Sequence, residues 1–324
     1  MSERVKVTVC AITYNHEKYI RKALESFVSQ KTNFKYEVII HDDASTDLTP
    51  EIIREFEKKY PDIIKPIYQK ENQYSKKIPI ILNYIFPRVK GEYIAFCECD
   101  DYWTDDYKLQ KQYDIMESKP NISLCTHKVQ CVNEDGTHND KVFPTETINT
   151  GVISSEEFAE LFFIRSSYPF HTCSYFIKKE LLENVAYRNL NMNGDEKVLL
   201  SALNEGDLYY INKPMSCRRM MSKGSYNSNL IKKSVEERIQ LVINSMFERQ
   251  KFDILSGYKF HDEINICIIN NIYSLMRKHN SKDVLCAFRK IEQELRYHFG
   301  KSLKCDIKYI LIKYFPGIFN MIKR

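Results

Sequence analysis

The sequence contains few residues that interrupt regular secondary structure, with nine glycines and ten prolines among 324 residues. Its N-terminal strand pattern carries neither Gly-x-Gly-x-x-Gly nor Gly-x-x-x-x-Gly-Lys, which argues against a dinucleotide-binding protein and a P-loop protein. No hydrophobic run approaches the length of a membrane-spanning helix. Hydrophobic residues make up 43% of the chain, which excludes a disordered protein and predicts a globular protein with one large domain or two.

The ten cysteines lack the paired spacing of a zinc finger, and Cys97 and Cys99 are only two positions apart. The first residues pass directly into a strand pattern, without the apolar segment of a signal peptide. We therefore expect a cytoplasmic protein whose thiols are reduced.

The net charge of +5 is concentrated in residues 301–324, where six lysine and arginine residues stand against one acid, Asp306. The balanced remainder argues against nucleic-acid binding across a broad face. Basic residues of this tail alternate with aliphatic and aromatic ones, and Pro316-Gly317 interrupts them. Two interpretations stay open: a terminal helix that packs on the core, or an amphipathic segment that lies on an anionic, cytoplasmic membrane face.

Apolar segments of strand character alternate with helical patterns in the first third of the chain. The strand segments are Val5–Ile12, Tyr36–Ile40, Ile63–Tyr68 and Tyr93–Cys97. Helical patterns begin at Ile20 and Thr49, and a third covers residues 78–89. This alternation predicts an α/β fold with a Rossmann-like, doubly wound and mostly parallel central sheet. Ligands of such sheets bind beyond the carboxyl ends of the strands.

Polar residues follow three of these strands and should converge on one edge of the sheet. They are Thr13, Tyr14 and Asn15 after the first strand, Asp42 and Asp43 after the second, and Glu98, Asp100 and Asp101 after the fourth. Asn15 is also placed to cap the next helix. Three carboxylates within four positions are unfavourable without a cation, and oxygen ligands suit Mg²⁺ or Mn²⁺ shared with a substrate phosphate. The alternative is an acidic surface turn. Trp103, the only tryptophan of the chain, argues against it, because tryptophan is seldom exposed to solvent.

Three stretches, residues 13–20, 39–47 and 91–101, resemble the N-terminal motifs of family 2 glycosyltransferases. That family has the GT-A fold, uses nucleotide-sugar donors with a divalent metal, and inverts the anomeric configuration. The resemblance implies that Asp43, with Asp42, contacts the nucleotide base and that Asp100 coordinates Mn²⁺ or Mg²⁺. Glu98 replaces the first aspartate of the usual Asp-x-Asp metal motif. The remaining donor-binding residues that it implies are Thr13, Tyr14, Asn15, Glu98 and Asp101.

The second third of the chain continues with a polar helix at 107–117, a strand at 122–132 and a turn at Asp135-Gly136, while residues 137–150 read as a loop. A helix follows Ser154, and a short strand lies at 175–177. Two residues here are candidates for the acceptor site, Trp103 and His171. His171 is equally explained as a satisfied histidine at the start of a strand.

Asp195 directly precedes the helical pattern of Val198-Leu199-Leu200. One interpretation is a helix N-cap. The resemblance implies a second, since a Gly-Asp or Glu-Asp at the head of a helix in this region supplies the catalytic base of the family. A carboxylate there can remove the proton of an attacking acceptor hydroxyl, and a single displacement inverts the anomeric centre.

Residues 214–225 resemble the flexible loop that closes over the donor in relatives, and Arg218 would contact the diphosphate. Met220 stands where relatives often carry a histidine, so a solvated basic loop is the alternative.

The sequence thus predicts an inverting, metal-dependent glycosyltransferase that moves a sugar from a nucleotide sugar, most simply a UDP-sugar, to a saccharide or lipid-linked saccharide acceptor. We expect a donor-binding half at 1–105, an acceptor-binding half at 106–227 and a helical extension at 228–324. The alternative is a catalytically silent nucleotide- or glycan-binding module of the same fold. Sugar-nucleotide synthesis is disfavoured, because it would call for a glycine-rich, lysine-bearing N-terminal loop.

Overall fold

The computed structural model describes residues 4–165, 170–184, 188–220, 233–278, 289 and 303–314. The chain forms two compact units. The first comprises Met1–Ser155, Tyr168–Arg188 and Asn193–Ser228, and the second comprises Glu156–Ser167, Asn189–Met192 and Asn229–Arg324.

A ten-stranded sheet forms the centre of the first unit. Its strands are β1 (Val5–Thr13), β2 (Lys35–Asp42), β3 (Ile64–Tyr68), β4 (Tyr93–Phe96), β5 (Tyr102–Trp103), β6 (Ile122–Val132), β7 (His138–Phe143), β8 (Gly151–Ile153), β9 (Phe176–Lys178) and β10 (Asp207–Arg219). The order is β3-β2-β1-β4-β9-β6-β10-β5, with β7 paired to β6 and β8 to β10. β3, β2, β1 and β4 are parallel to one another, as are β6 and β10, while β9 is antiparallel to β4 and β6. The predicted α/β class with a mostly parallel sheet is confirmed.

The helices of the first unit follow the predicted pattern closely. They are α1 (Ile20–Val28), α2 (Thr49–Lys59), α3 (Lys108–Ser118) and, after the short helix α4 (Ser155–Ala159) at the boundary of the two units, α5 (Gly194–Glu205). In α1, Ile20, Leu24 and Phe27 recur at helical spacing and are fully buried. In α2, Pro50 occupies the first turn and two lysines the last, in keeping with the helix dipole.

The prediction that Asn15 caps the first helix is wrong. Tyr19 occupies the N-cap position of α1, without a side-chain capping bond. Asn15 instead adopts the left-handed conformation, with φ of 55°. Its Oδ1 accepts the backbone N–H of Thr46 at 2.8 Å. Asparagine tolerates this conformation better than most residues, so Asn15 turns the chain after β1 and ties it to the segment after β2.

Three further predictions need correction. The expected third helix is a π-helical turn, Ile81–Ile85, followed by a 3₁₀ turn, Phe86–Arg88, where a proline removes one backbone donor. Residues 137–150 are not all loop, because β7 pairs with β6 in a hairpin closed by Gly136 at φ 87°. The expected loop from Pro214 is strand as far as Arg219, since β10 continues past an irregularity between Ile211 and Ser216. Residues 221–225 lie outside the described part.

The second unit is helical where it is described. A π-helical turn (Glu160–Ile164) precedes α6 (Val235–Leu255), α7 (His261–Lys278) and α8 (Leu303–Tyr314). α8 packs against α7, burying Tyr309 and Ile312, while Ile307 and Ile310 are exposed. Within the described ranges, no helix is long and apolar enough to cross a membrane. Residues 279–288 and 290–302 and the tail beyond Tyr314 lie outside the described residues.

Candidate active site

Strand register brings the polar residues of the motifs to one edge of the sheet. Thr13 at the end of β1 lies opposite Asp42 at the end of β2. On the other side of β1, Cys99 continues beyond β4 and donates its backbone N–H to the Ile12 carbonyl at 3.1 Å. The segments after β1, β2 and β4 therefore leave the sheet side by side, as the sequence predicts for parallel neighbours.

The two carboxylates after β2 have different surroundings. Asp43 is buried, and its two oxygens accept the backbone N–H groups of Gln73 and Tyr74 at 2.7 and 3.0 Å. Asp42 is also buried, but its Oδ1 has no hydrogen-bond partner in the part of the chain that the structure describes. Burial raises the pKa of Asp42. Asp43 thus shapes the 72–74 segment, whereas Asp42 retains an oxygen for a ligand.

Tyr14 and Asn15 flank this pair. The Tyr14 side chain is 42% exposed. Asn15 donates its backbone N–H to the Ser45 hydroxyl at 2.8 Å, in addition to its bond with Thr46. Asn15 therefore holds the segments after β1 and β2 together, and the ring of Tyr14 is accessible beside them.

Glu98, Asp100 and Asp101 follow β4 and form an acidic segment with a high density of negative charge. Asp100 and Asp101 are 7% and 4% exposed, whereas Glu98 is exposed at the surface. Desolvation by the surrounding protein, together with the charges of Asp100 and Asp195, raises the pKa of Glu98 to about 8. Burial raises the pKa of Asp101 well above its usual value. A set of oxygen donors that repel one another in this way fits Mg²⁺ or Mn²⁺, for which Glu98 and Asp100 are suitable ligands.

Asp195 lies near this acidic segment. The N-cap position of α5 is Asn193, so the interpretation of Asp195 as an N-cap is wrong. Asp195 lies in the first turn, where its Oδ1 accepts the backbone N–H of Glu196 at 2.9 Å. Its charge contributes to the raised pKa of Glu98 and of Tyr175. The fold thus brings together two carboxylates that are far apart in sequence.

Arg218 and Arg219, adjacent residues at the end of β10, make different contacts. Arg218 is half-buried, lies 4.9 Å above the Phe143 ring, and opposes the raised pKa of Glu98. Arg219 is buried, and its backbone N–H donates to Asp101 Oδ1 at 2.7 Å. Its guanidinium donates to the carbonyls of Asp100 and Glu134 at 3.1 and 2.6 Å. Arg219 therefore fixes the acidic segment, while Arg218 supplies positive charge to it.

Trp103 and His171 occupy positions of different character. Trp103 is 4% exposed, donates its indole N–H to the Cys173 carbonyl at 3.1 Å and packs against Phe27. Its burial argues against direct contact with an acceptor. His171 precedes the 3₁₀ turn Thr172–Ser174 and keeps 19% of its side chain exposed. Burial, then the charge of Arg218, lowers its pKa well below the usual value, so its imidazole is neutral.

Sequence reasoning missed Arg219 and His16 as members of this region. His16 is half-buried, and burial lowers its pKa although Asp100, Asp47 and Asp42 act in the opposite direction. It follows Asn15 directly in the first motif, which is the signal that could have identified it. The sequence does not identify Arg219, because only the strand register determines which of the two adjacent arginines contacts the backbone of the acidic segment.

The model of glycosyl transferase family 2 matches residues 8–185, more than half of the chain. The chain belongs to this family. The crystal structure of residues 1–349 of TarS from S. aureus, in complex with UDP-GlcNAc, has a TM-score of 0.65 and 17% sequence identity. That match covers 98% of this chain and 89% of the TarS chain, and shows a shared GT-A fold.

Two curated relatives match about two fifths of the chain. An uncharacterised protein of Mycobacterium tuberculosis strain H37Rv is 44% identical over 140 residues, which is 43% of this chain and 39% of that protein. TuaG of Bacillus subtilis, provisionally named a teichuronic acid biosynthesis glycosyltransferase, is 34% identical over 136 residues, 42% of this chain and 51% of TuaG. The chain thus spans between two fifths and half of the length of these relatives.

Proposed function

We propose that this family 2 protein is an inverting, metal-dependent glycosyltransferase that moves a sugar from a UDP-sugar to a saccharide or lipid-linked saccharide acceptor. The observation that carries the proposal is the grouping of Glu98 and Asp100 with Asp195 and Arg218 at the carboxyl edge of the sheet, where Asp195 and Arg218 both act on the pKa of Glu98. A diphosphate leaving group needs positive charge, and an acceptor hydroxyl needs a base. The grouping offers both.

The donor nucleotide fits the segments after β1 and β2. The buried Oδ1 of Asp42 can accept an N–H of the base, and a base that satisfies it removes the cost of a buried acceptor without a partner. Thr13, Tyr14 and Asn15 border the same edge, and Asp43 holds the 72–74 segment beside it. TarS, which shares the fold, was crystallised with UDP-GlcNAc and supports a UDP-sugar as donor.

Glu98 and Asp100 are the residues that would hold Mn²⁺ or Mg²⁺. When bound, the ion supplies charge neutralisation to the diphosphate. Arg218 adds a fixed positive charge next to the acidic segment, and Asp101 is oriented by the backbone N–H of Arg219. These side chains orient the donor so that its anomeric carbon faces the acceptor.

Asp195 is the proposed base. Its Oδ1 is occupied by the Glu196 backbone N–H, and the N-terminus of α5 favours a negative charge at this position. The carboxylate takes the proton of the acceptor hydroxyl as that oxygen attacks the anomeric carbon. One displacement of this kind inverts the configuration.

The teichuronic acid connection of TuaG supports a role in cell-surface polysaccharide synthesis, with residues 1–105 serving the donor, 106–227 the acceptor and 228–324 forming the extension. We further propose that the basic segment 301–324 contacts an anionic membrane peripherally. The exposed Ile307 and Ile310 of α8 suit such a contact, while Tyr309 and Ile312 are used for packing. Full-length protein should co-sediment with anionic liposomes and lose that binding at high salt. Binding that survives high salt, or survives deletion of 301–324, would contradict this contact.

Calorimetry with UDP, with and without Mn²⁺, tests the central proposal together with donor hydrolysis across a panel of nucleotide sugars. We expect Mn²⁺ to strengthen UDP binding, and Asp100→Asn to remove both that gain and turnover, because a carboxylate charge is what the ion requires. Equal UDP binding in both conditions would reject the metal-bridged donor. UDP binding without hydrolysis of any donor would favour the silent binding module.

A further inference from the structure

A second cluster of metal-ligating atoms lies beside the oxygen donors of the acidic segment. Asp101, His171 and Cys173 each present one ligand atom, and these atoms all lie within 4.8 Å of one another. The Asp101 carboxylate comes from the segment after β4, and the other two come from the turn that precedes β9. The donors are a carboxylate oxygen, an imidazole nitrogen and a sulfur, a set that differs from the oxygen-only pair Glu98 and Asp100.

The three side chains converge on His171 Nδ1. Asp101 Oδ2 and Cys173 Sγ approach the same ring nitrogen, His171 Nδ1, at 3.6 and 3.2 Å. The 3.6 Å separation is too long for a hydrogen bond, so Asp101 Oδ2 lies beside Nδ1 without being bonded to it. The Cys173 backbone N–H also points at Nδ1, at 3.5 Å, which is the limit of a weak hydrogen bond. That contact favours an unprotonated Nδ1, the form in which an imidazole nitrogen binds a metal.

A cation can bridge the three ligand atoms, and the distances suit zinc. Zinc bonds of about 2.0–2.1 Å to nitrogen and oxygen and about 2.3 Å to sulfur, at tetrahedral angles, separate the ligand atoms by roughly 3.3–3.6 Å. The Nδ1–Sγ and Nδ1–Oδ2 separations are 3.2 and 3.6 Å, each within about 0.4 Å of these values. We infer that Asp101, His171 and Cys173 form a thiolate-containing Zn²⁺ site, separate from the oxygen-only site of Glu98 and Asp100.

The surroundings orient these ligands as a metal site requires. The other oxygen of Asp101 accepts the backbone N–H of Arg219 at 2.7 Å, which leaves Oδ2 facing the cluster. The hydroxyl of Ser216 lies 3.1 Å from Cys173 Sγ and can donate to a thiolate. Both partners belong to β10, and such outer contacts tune the affinity of metal sites. Asp101 and Cys173 are buried, while His171 retains a path to solvent.

The charges also match. A carboxylate and a thiolate together neutralise Zn²⁺, and a neutral imidazole adds no charge, so the occupied site places no net charge in the interior. An ion there would join the acidic segment to the turn before β9. It would thereby fix the segment that carries Asp100 without using either oxygen-only ligand.

Cobalt spectroscopy on the full-length protein tests the site. Co²⁺ should give a sulfur-to-cobalt charge-transfer band in the near ultraviolet with the visible bands of tetrahedral cobalt, and one equivalent of Zn²⁺ should remove both. Cys173→Ser should abolish the charge-transfer band, whereas Cys10→Ser, a change at another buried cysteine, should retain it. Ser216→Ala should weaken Zn²⁺ binding about 10–100-fold, as expected for a contact to a ligand. Asp100→Asn should leave the band in place.

The proposal fails if wild-type protein shows no charge-transfer band, or if the band persists in Cys173→Ser. It also fails if Asp100→Asn removes the band, because one shared oxygen site would then explain all metal binding. Should Cys173→Ser not fold, His171→Gln serves as the second variant, since His171 is partly exposed. Competition between the protein and a chromophoric zinc chelator measures Zn²⁺ binding directly. Stoichiometric uptake by the wild type that is weakened in His171→Gln supports the site, whereas a wild-type protein that takes up no Zn²⁺ overturns it.

Discussion

The segments after β2 and after β4 both place adjacent carboxylates at the same edge of the sheet. They differ in whether backbone N–H groups compensate the negative charge. After β2, Asp43 has both oxygens bonded to backbone N–H groups. Asp47 is held in the same manner by Thr49 and Glu17, at 2.9 and 3.1 Å. After β4, desolvation and the charges of Asp100 and Asp195 instead raise the pKa of Glu98 to about 8.

The comparison separates two uses of an acidic residue. A carboxylate that accepts two N–H groups is satisfied within the protein and stabilises the backbone around it. A carboxylate surrounded by other carboxylates costs stability until a cation arrives. Substitutions in the two segments should therefore change stability in opposite directions, and only the second segment should respond strongly to metal.

The largest effect is expected at Asp195, the carboxylate that approaches the β4 segment from α5. Asp195→Asn should lower donor consumption in the presence of acceptor by about 10²-fold or more, the usual scale for a general base. UDP binding and the unfolding midpoint should stay nearly unchanged, because the amide oxygen can still accept the Glu196 N–H.

Glu205→Gln, at the exposed far end of the same helix, is the matched control and should retain full turnover. A near-wild-type rate for Asp195→Asn would remove Asp195 as the base and direct attention to His171, which is neutral and partly exposed.

An intermediate effect is expected at Asp43. Asp43→Asn replaces one accepting oxygen by an amide group that faces a backbone N–H, so we expect a loss of about 1–3 kcal/mol in the free energy of unfolding. Urea denaturation monitored by tryptophan fluorescence measures it. Asp42→Asn is the control and should cost less, since Asp42 Oδ1 has no partner among the described residues. Equal losses in both variants would break the distinction drawn for the β2 segment.

The smallest effect is expected at Glu98, and its sign is opposite. In the presence of a chelator, Glu98→Gln should stabilise the protein at pH 8 by about 1 kcal/mol, a figure reduced for solvent screening because Glu98 is exposed. The folded-state pKa of about 8 lies above the ordinary 4.5. Between these values the folded protein keeps a proton that the unfolded chain has lost, so stability falls as the pH rises through this window.

Glu98→Gln should flatten that part of the stability profile, and saturating Mn²⁺ with UDP should reverse the order of wild type and variant. Denaturation at several pH values between 4.5 and 8 provides the measurement. A variant less stable than wild type under chelation would show that the β4 segment is satisfied by the protein alone.

Much of the first third of the fold could be predicted from sequence, because its buried parallel strands are continuous apolar runs bounded by polar residues. The bounds predicted for β6, 122–132, are those of the structure. β7 was missed because its residues are largely exposed and polar, so they carry neither an apolar run nor a clear alternation. The π-helical turn at Ile81–Ile85 depends on packing and leaves a pattern like that of an α-helix.

The candidate site could be predicted only as separate pieces. Parallel strand order implied that the residues after β1, β2 and β4 meet, whereas the approach of Asp195 to Glu98 depends on tertiary structure. The interpretation of Trp103 as a site residue rested on its rarity. The indole instead packs on Phe27 and lies 4.3 Å from the ammonium group of Lys108, a fully buried lysine.

β10 carries Arg218 and Arg219 on one continuous strand, and this has a consequence for the evolution of the chain. Successive side chains of a strand point to opposite faces, so the two arginines, although identical, are distinguished by parity alone. Inserting or deleting a single residue between Ser216 and Arg218 would move each arginine to the opposite face of the strand, so that the contacts with Glu98 and with the Asp100 carbonyl could not both be kept. Length changes in this strand should therefore be tolerated only in pairs, and point substitutions should be far more freely accepted than single-residue shifts.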